Sequence, residues 1–144
     1  MEVEDLRKIY ESTENWLKFV EAKLIAFLTF ETGLSYFIFK TDIFSKLGIV
    51  SQVVFVIALC SAIALLVWNV LPRTNNRSNP LYYHSWLNTE IFGTVTEKDY
   101  QQQIKDLAVI IEKKSKGIKY SLLAYSFGMG IFLVGTIMSI GGLL

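Results

Sequence analysis

The chain has 144 residues, enough for one domain rather than two of ordinary size. Apolar side chains supply 52% of it and charged ones only 19%, with a net charge of +1, so bulk charge gives no basis for a nucleic-acid partner. One histidine and one cysteine exclude the common His/Cys metal clusters and any intrachain disulfide framework.

Residues 3 to 23 read as an amphipathic helix. Leu6, Ile9, Tyr10, Thr13, Leu17, Val20 and Leu24 recur at spacings of three or four. The apolar run "LIAFLTFETGLSYFIF", residues 24 to 39, follows with no breaker between. Extended back through Phe19 and Val20 it reaches the length needed to cross a bilayer. The expectation is a first span over residues 20 to 39, inside one long helix from about residue 3 to 39. The acid-rich start and the lack of a small-residue cleavage site argue against a signal peptide. A short turn carrying Lys40 and Lys46 leads to "GIVSQVVFVIALCSAIALLVWNVL", residues 48 to 71, with no charge over 24 positions. At about 1.5 Å of rise per residue this second run covers the roughly 30 Å hydrocarbon layer.

The next segment, residues 72 to 119, is polar and aromatic at its start: "PRTNNRSNPLYYHSWLNTEIF". Asn79 before Pro80 reads as an N-cap followed by proline at the first helical position, and Gly93 suits a C-cap, so a short helix from 80 to about 92 is predicted. Thr96-Glu97-Lys98-Asp99 resembles a capping box with aspartate as its acid. Tyr100, Ile104, Leu107, Ile111 and Ile118 then share one face of a helix that continues past Gly117 to about residue 140. Residues 120 to 144 carry no charge over 25 positions, and the third span is placed at 120 to 142. The fold class expected is an all-α membrane protein: three transmembrane helices and a small helical cytoplasmic head, built from residues 1 to 23 and 72 to 119. Twelve of the 14 basic residues fall in those two stretches. The positive-inside rule puts them in the cytoplasm and the C-terminus outside. A head of about 71 residues is marginal for a core of its own, which favours a homo-oligomer.

Signals for catalysis are missing: there is no HExxH, CxxC, GxSxG or phosphate loop. Gly128, Gly130 and Gly135 lie in the last span, where Ala124 with Gly128 and Gly135 with Ser139 have the spacing that lets helices approach closely. Glu31 stands out because an acid inside a membrane needs a partner, a cavity or a pore. Ser35 is one turn on, and Gln52, Ser61, Thr136 and Ser139 on the other spans could complete a polar seam. The plainer alternative is a protonated Glu31, or one that reaches a nearby interface. A second candidate site follows the second span. The helix start at Asn79-Pro80 would present free N–H groups to an anion, and Arg73 and Arg77 could clamp a phosphate. Tyr82, Tyr83, His84 and Trp86 offer faces for a base, and Asn75 or Asn76 could read its edge. The set suits a small nucleotide. Equally, Arg73 could snorkel to lipid headgroups while the aromatic residues populate the interface belt. The acids Glu90, Glu97, Asp99, Asp106 and Glu112 read most simply as a solvated face.

Four stretches taken in order, "NWLKFVEAKLIAFLTF" (15 to 30), "VLPRTNNRSNPLYY" (70 to 83), "DYQQQIKDLAVIIEKKSKGIKY" (99 to 120) and the closing span, resemble the Pycsar transmembrane effector family. The family's leucine-proline exit corresponds to Leu71-Pro72, its proline-aromatic element to Pro80, Tyr82 and Tyr83, and its later tyrosine to Tyr120. The lysine-alanine pair is reversed here as Ala22-Lys23, and His84 follows Tyr83 directly where the family has a glycine-histidine step. The resemblance implies antiphage defence: a companion cyclase makes cyclic CMP or cyclic UMP, and the effector disrupts the inner membrane in response. The expectation is therefore a membrane effector without enzymatic activity or cofactor, its partners the lipid bilayer, a cyclic nucleotide and its own copies. The alternatives are a constitutive holin-like or structural small membrane protein, and a CBASS-type effector sensing a cyclic oligonucleotide.

Overall fold

The computed structural model describes residues 3 to 71, 81 and 95 to 141. Four helices occupy them: α1 (Val3–Lys40), α2 (Asp42–Ser45), α3 (Ile49–Val70) and α4 (Glu97–Ile140). No strand occurs among the described residues. Three of the helices, α1, α3 and α4, are long and apolar enough to cross a membrane. The two long helices expected from the sequence are each continuous.

Helix boundaries have local causes. Thr41 is extended (φ −87°, ψ 141°), which stops α1 and leaves one short turn, α2, before the next extended residue, Gly48 (φ −59°, ψ 143°). At the far end of α3, Leu71 is again extended (φ −57°, ψ 131°). Pro72 follows it, and the residue before a proline is pushed out of the helical region by the ring. α4 starts at a cap centred on Thr96. The Asp99 carboxylate accepts hydrogen bonds from the Thr96 backbone N–H (2.8 Å) and from the Thr96 hydroxyl (2.6 Å). The reciprocal acid-to-N-cap bond of a capping box is present, but the hydroxyl is spent on the carboxylate. Those two bonds, the side-chain one foremost, hold the Asp99 carboxyl below the usual carboxylate range.

The chain forms two compact units, one of Met1–Ala22 with Pro72–Lys114 and one of Lys23–Leu71 with Ser115–Leu144. In the first, α1 and α4 run parallel. Tyr10 meets Tyr100 edge-on with ring centroids 5.8 Å apart, and farther along both helices the Lys114 ammonium meets the Glu21 carboxylate at 2.5 Å. Leu6, Val20 and Leu107 are buried there, and so are Gln103 and Lys114.

In the second unit α3 runs antiparallel to α4. Asn69 faces Gly117, Ala58 faces Gly128, and Ser51 faces Gly135. Ile38, Leu47, Phe55, Leu59, Ala62, Tyr125 and Phe132 form the buried cluster. Phe55 is its centre, with ring centroids 5.4 Å from Phe132 and 6.1 Å from Phe39 and Phe44. The outward faces are apolar as well: Phe30, Phe37, Ile57, Trp68, Phe127 and Ile137 are all more than half exposed. A water-soluble protein would not leave so large an apolar surface bare; a bilayer requires it. Cys60 lies on this outward side of α3.

The inward faces of α1 and α4 keep a period of 3.5 rather than 3.6. On α1 the buried positions are 6, 20, 24, 31, 35 and 38, with 10, 13, 14, 17, 21, 27, 28 and 34 half-buried. Ile9, expected in the apolar stripe, is 43% exposed because this narrower seam takes Tyr10 instead. On α4 the fully buried positions are 103, 107, 114, 117, 118, 121, 125, 128, 132 and 135. Ile104 and Ile111, predicted on the face, are half-buried flanks of that seam. Polar Gln103, Lys114 and Ser121 sit in the seam itself.

Candidate functional site

Of the two sites expected from the sequence, the nucleotide set (Arg73, Asn75, Arg77, Asn79, Tyr82, Tyr83, His84 and Trp86) lies outside the described residues. So does the predicted helix from 80 to 92, apart from Leu81, which is in a turn.

Glu31 is the centre of the other site. Its side chain is 0% exposed. Ser121 Oγ lies 3.1 and 3.3 Å from the two carboxyl oxygens and 2.9 Å from the Ala62 carbonyl oxygen. One hydroxyl thus joins α1, α3 and α4. The 3.5-residue seam explains the meeting, since Glu31 and Ser121 are both seam positions of parallel helices, and Ala62 is small enough to bring the α3 backbone within reach. One turn along, the buried Ser35 hydroxyl donates to the Glu31 backbone carbonyl. Tyr125, also buried, turns its hydroxyl toward Ser35 and Glu31. That hydroxyl has no hydrogen-bond partner among the described residues.

The remaining expected members of the seam lie elsewhere. Gln52 donates to the Phe44 and Leu47 carbonyls, both at 3.0 Å, and so ties α3 to the turn around α2. Thr136 returns its proton to Phe132 of its own helix (2.8 Å), and Ser61 does the same to Ile57. Ser139 donates to the Lys46 carbonyl at 3.1 Å. The polar node therefore consists of Glu31, Ser35, Ser121 and Tyr125. Its depth is off-centre: Ala62 is eight residues from Val70 and thirteen from Ile49, about 12 and 20 Å along the axis.

Ser121 and Tyr125 were not picked out from the sequence, and both occupy inward positions of α4. The small-residue pattern meets a mixed outcome. A Cβ built on Gly128 would come 2.9 Å from Ala58 Cβ, and one on Gly135 would come 2.9 Å from Leu47. Gly130 has open space around it. Gly117, which α4 runs straight through, has a specific reason to be glycine: a Cβ there would lie 2.1 Å from Asn69 Nδ2.

Two polar groups in the first unit also depart from expectation. Asp106, read as part of a solvated face, has one carboxylate oxygen shielded from solvent without a hydrogen bond among the described residues, while the other accepts from Gln102 at 3.2 Å. Lys114, counted among the basic residues of the cytoplasmic head, is buried at 3% exposure against the half-exposed Glu21. Among the described residues no group of three His, Cys, Asp or Glu side chains converges as a metal ligand set.

The family model of the Pycsar effector protein domain matches residues 5–141, nearly the whole chain. No curated protein and no solved structure matches it.

Proposed function

Since the chain belongs to the Pycsar effector protein domain family, and with it to the antiphage membrane effectors, we propose that a cyclic pyrimidine mononucleotide, cyclic CMP or cyclic UMP, switches it into a state that breaches the inner membrane. The protein acts as a sensor and a membrane lesion in one chain and carries out no catalysis. The observation that supports this most is the continuity of α4, one helix of 44 residues that belongs to both compact units. A ligand shifts such an equilibrium only by its differential affinity for two arrangements. A change of tilt at the Glu97 end of an unbroken helix is felt at its other end without a flexible joint to absorb it.

The ligand site of this reading is the polar-aromatic segment with Arg73, Asn75, Arg77, Asn79, Tyr82, Tyr83, His84 and Trp86. Arginines and free N–H groups suit the cyclic phosphate, and the rings suit the base. The clustering of basic residues before the first span and between the second and third supports a cytoplasmic side for this segment, where such a messenger would be made. Copies of the chain assemble around the lesion, because the small first unit gains from burying its flanks against another copy.

The test is dye release from liposomes containing the purified protein. Cyclic CMP or cyclic UMP should trigger release, and the Arg73→Ala, Arg77→Ala double variant should require far more nucleotide. No release with either nucleotide removes the sensing half of the proposal. A double variant with the wild-type response makes the two arginines lipid anchors.

A further inference from the structure

We infer that Glu31 sets the ionic selectivity of the leak: a neutral, hydrogen-bonded acid while the three helices are packed, it faces water as a carboxylate once they part, and passes cations in preference to anions. The inference rests on the leak proposed above and names the group that lines it.

Ser121 has one hydroxyl proton and two acceptors in range, the Ala62 carbonyl at 2.9 Å and the Glu31 carboxyl at 3.1 Å. It can satisfy only one. If it donates to the shorter contact, the other bond forms only when Glu31 donates in turn, as a carboxylic acid. The chain Glu31 O–H to Ser121 Oγ, then Ser121 O–H to Ala62 O, gives each of these three a partner.

The surroundings agree. Among the described residues the groups that face Glu31 are Ser35 on its own helix, the Ala62 carbonyl on α3, and Ser121 and Tyr125 on α4. None is a cation, and the runs 48 to 71 and 120 to 144 contain none. A carboxylate in this position would be a buried charge without a counter-charge, the arrangement a bilayer interior tolerates least.

An acid is an odd choice if helix adhesion were its whole task. A glutamine amide makes the same bond to Ser121 and cannot ionise. What a carboxyl adds is the capacity to become charged when water reaches it. The node also has unused polar capacity: the Tyr125 hydroxyl is buried without a hydrogen-bond partner among the described residues, and Ser35 turns its proton back onto its own helix. Buried polar groups are nearly always paired. Here the spare groups line up with the acid along the inside of the bundle, where water and an ion would find oxygen ligands as the helices separate. Rings of acidic side chains, one from each copy, are how cation-selective pores are commonly built.

The experiment is current through a planar bilayer under a KCl gradient, with cyclic CMP and cyclic UMP as the triggering probes. Wild-type protein should pass potassium at least about tenfold better than chloride. Glu31→Gln keeps the hydrogen-bonded packing and should give a current with a ratio near one. Ser121→Ala leaves the acid without its partner; it should open without nucleotide and remain cation-selective. A wild-type current that does not distinguish the ions, or selectivity unchanged in Glu31→Gln, overturns this inference alone. Absence of any wild-type current overturns the leak and this inference together.

Discussion

Replacing Gly117 by alanine tests the packing of α4 on α3 at one atom. The new Cβ would lie 2.1 Å from Asn69 Nδ2, 2.3 Å from its Cγ and 2.7 Å from its Oδ1. Ordinary contact begins near 3.4 Å, so the groups must separate by 3.4 − 2.1 = 1.3 Å. The amide is poorly placed to yield, because Asn69 is 6% exposed and its Nδ2 donates to the Leu65 carbonyl at 2.6 Å. Overpacking of this kind costs about 1–3 kcal/mol, and breaking the amide bond adds about 1 kcal/mol. Alanine's better helix propensity returns about 1 kcal/mol. The net expectation is destabilisation by about 1–3 kcal/mol. In an Asn69→Ala background the obstacle is gone, and the same substitution should be neutral or should stabilise by up to about 1 kcal/mol. Unfolding of all four proteins in micelles, followed by circular dichroism, gives the double-mutant cycle. A Gly117→Ala protein as stable as wild type, or two substitutions that simply add, would refute the reasoning.

The other glycines of α4 divide in the same way. Gly130→Ala meets nothing within 4 Å and should stabilise by about 0.5–1 kcal/mol, whereas Gly128→Ala presses on Ala58 and should destabilise in the same melt. At the start of α4, Asp99→Ala should cost about 1 kcal/mol at neutral pH by loss of the cap. Because the folded-state value of Asp99 is depressed, its contribution is full above the unfolded value near 3.9 and is lost as pH falls through the folded one. The gap between wild type and variant should therefore close below about pH 4, and a gap that persists there would mean the carboxylate does not carry the cap.

The long helices were legible because nothing interrupts them: no proline falls between residues 3 and 71 or between 95 and 141, and charge-free runs mark two of the three spans. Glu31 was legible for a simpler reason, as an acid surrounded by apolar residues. Its partners were not. Ser121 and Tyr125 look unremarkable in a run of small and aromatic side chains, and only the 3.5-residue period of the inward face shows that they point at α1. The same period explains Lys114. Within "EKKSK" one lysine in three faces inward, and an apolar stripe drawn through Ile104 and Ile111 passes beside it. Asn69 and Gly117 are separated by 48 residues in sequence, so their match is a property of the antiparallel pairing of α3 with α4. Gln52 and Thr136 show the reverse error, since a polar residue on a membrane helix can satisfy itself on backbone carbonyls nearby without joining any seam.

The single sulfhydryl, at Cys60, stands on the outer surface of α3, two residues from the carbonyl that anchors the Ser121 bridge. A nitroxide can therefore be attached to the natural chain without engineering, on the periphery of the bundle and within one turn of the Ala62 carbonyl. In a solitary chain such a tag reads immersion in acyl chains; in a ring of chains, tag-to-tag spacing measures how wide the ring has become.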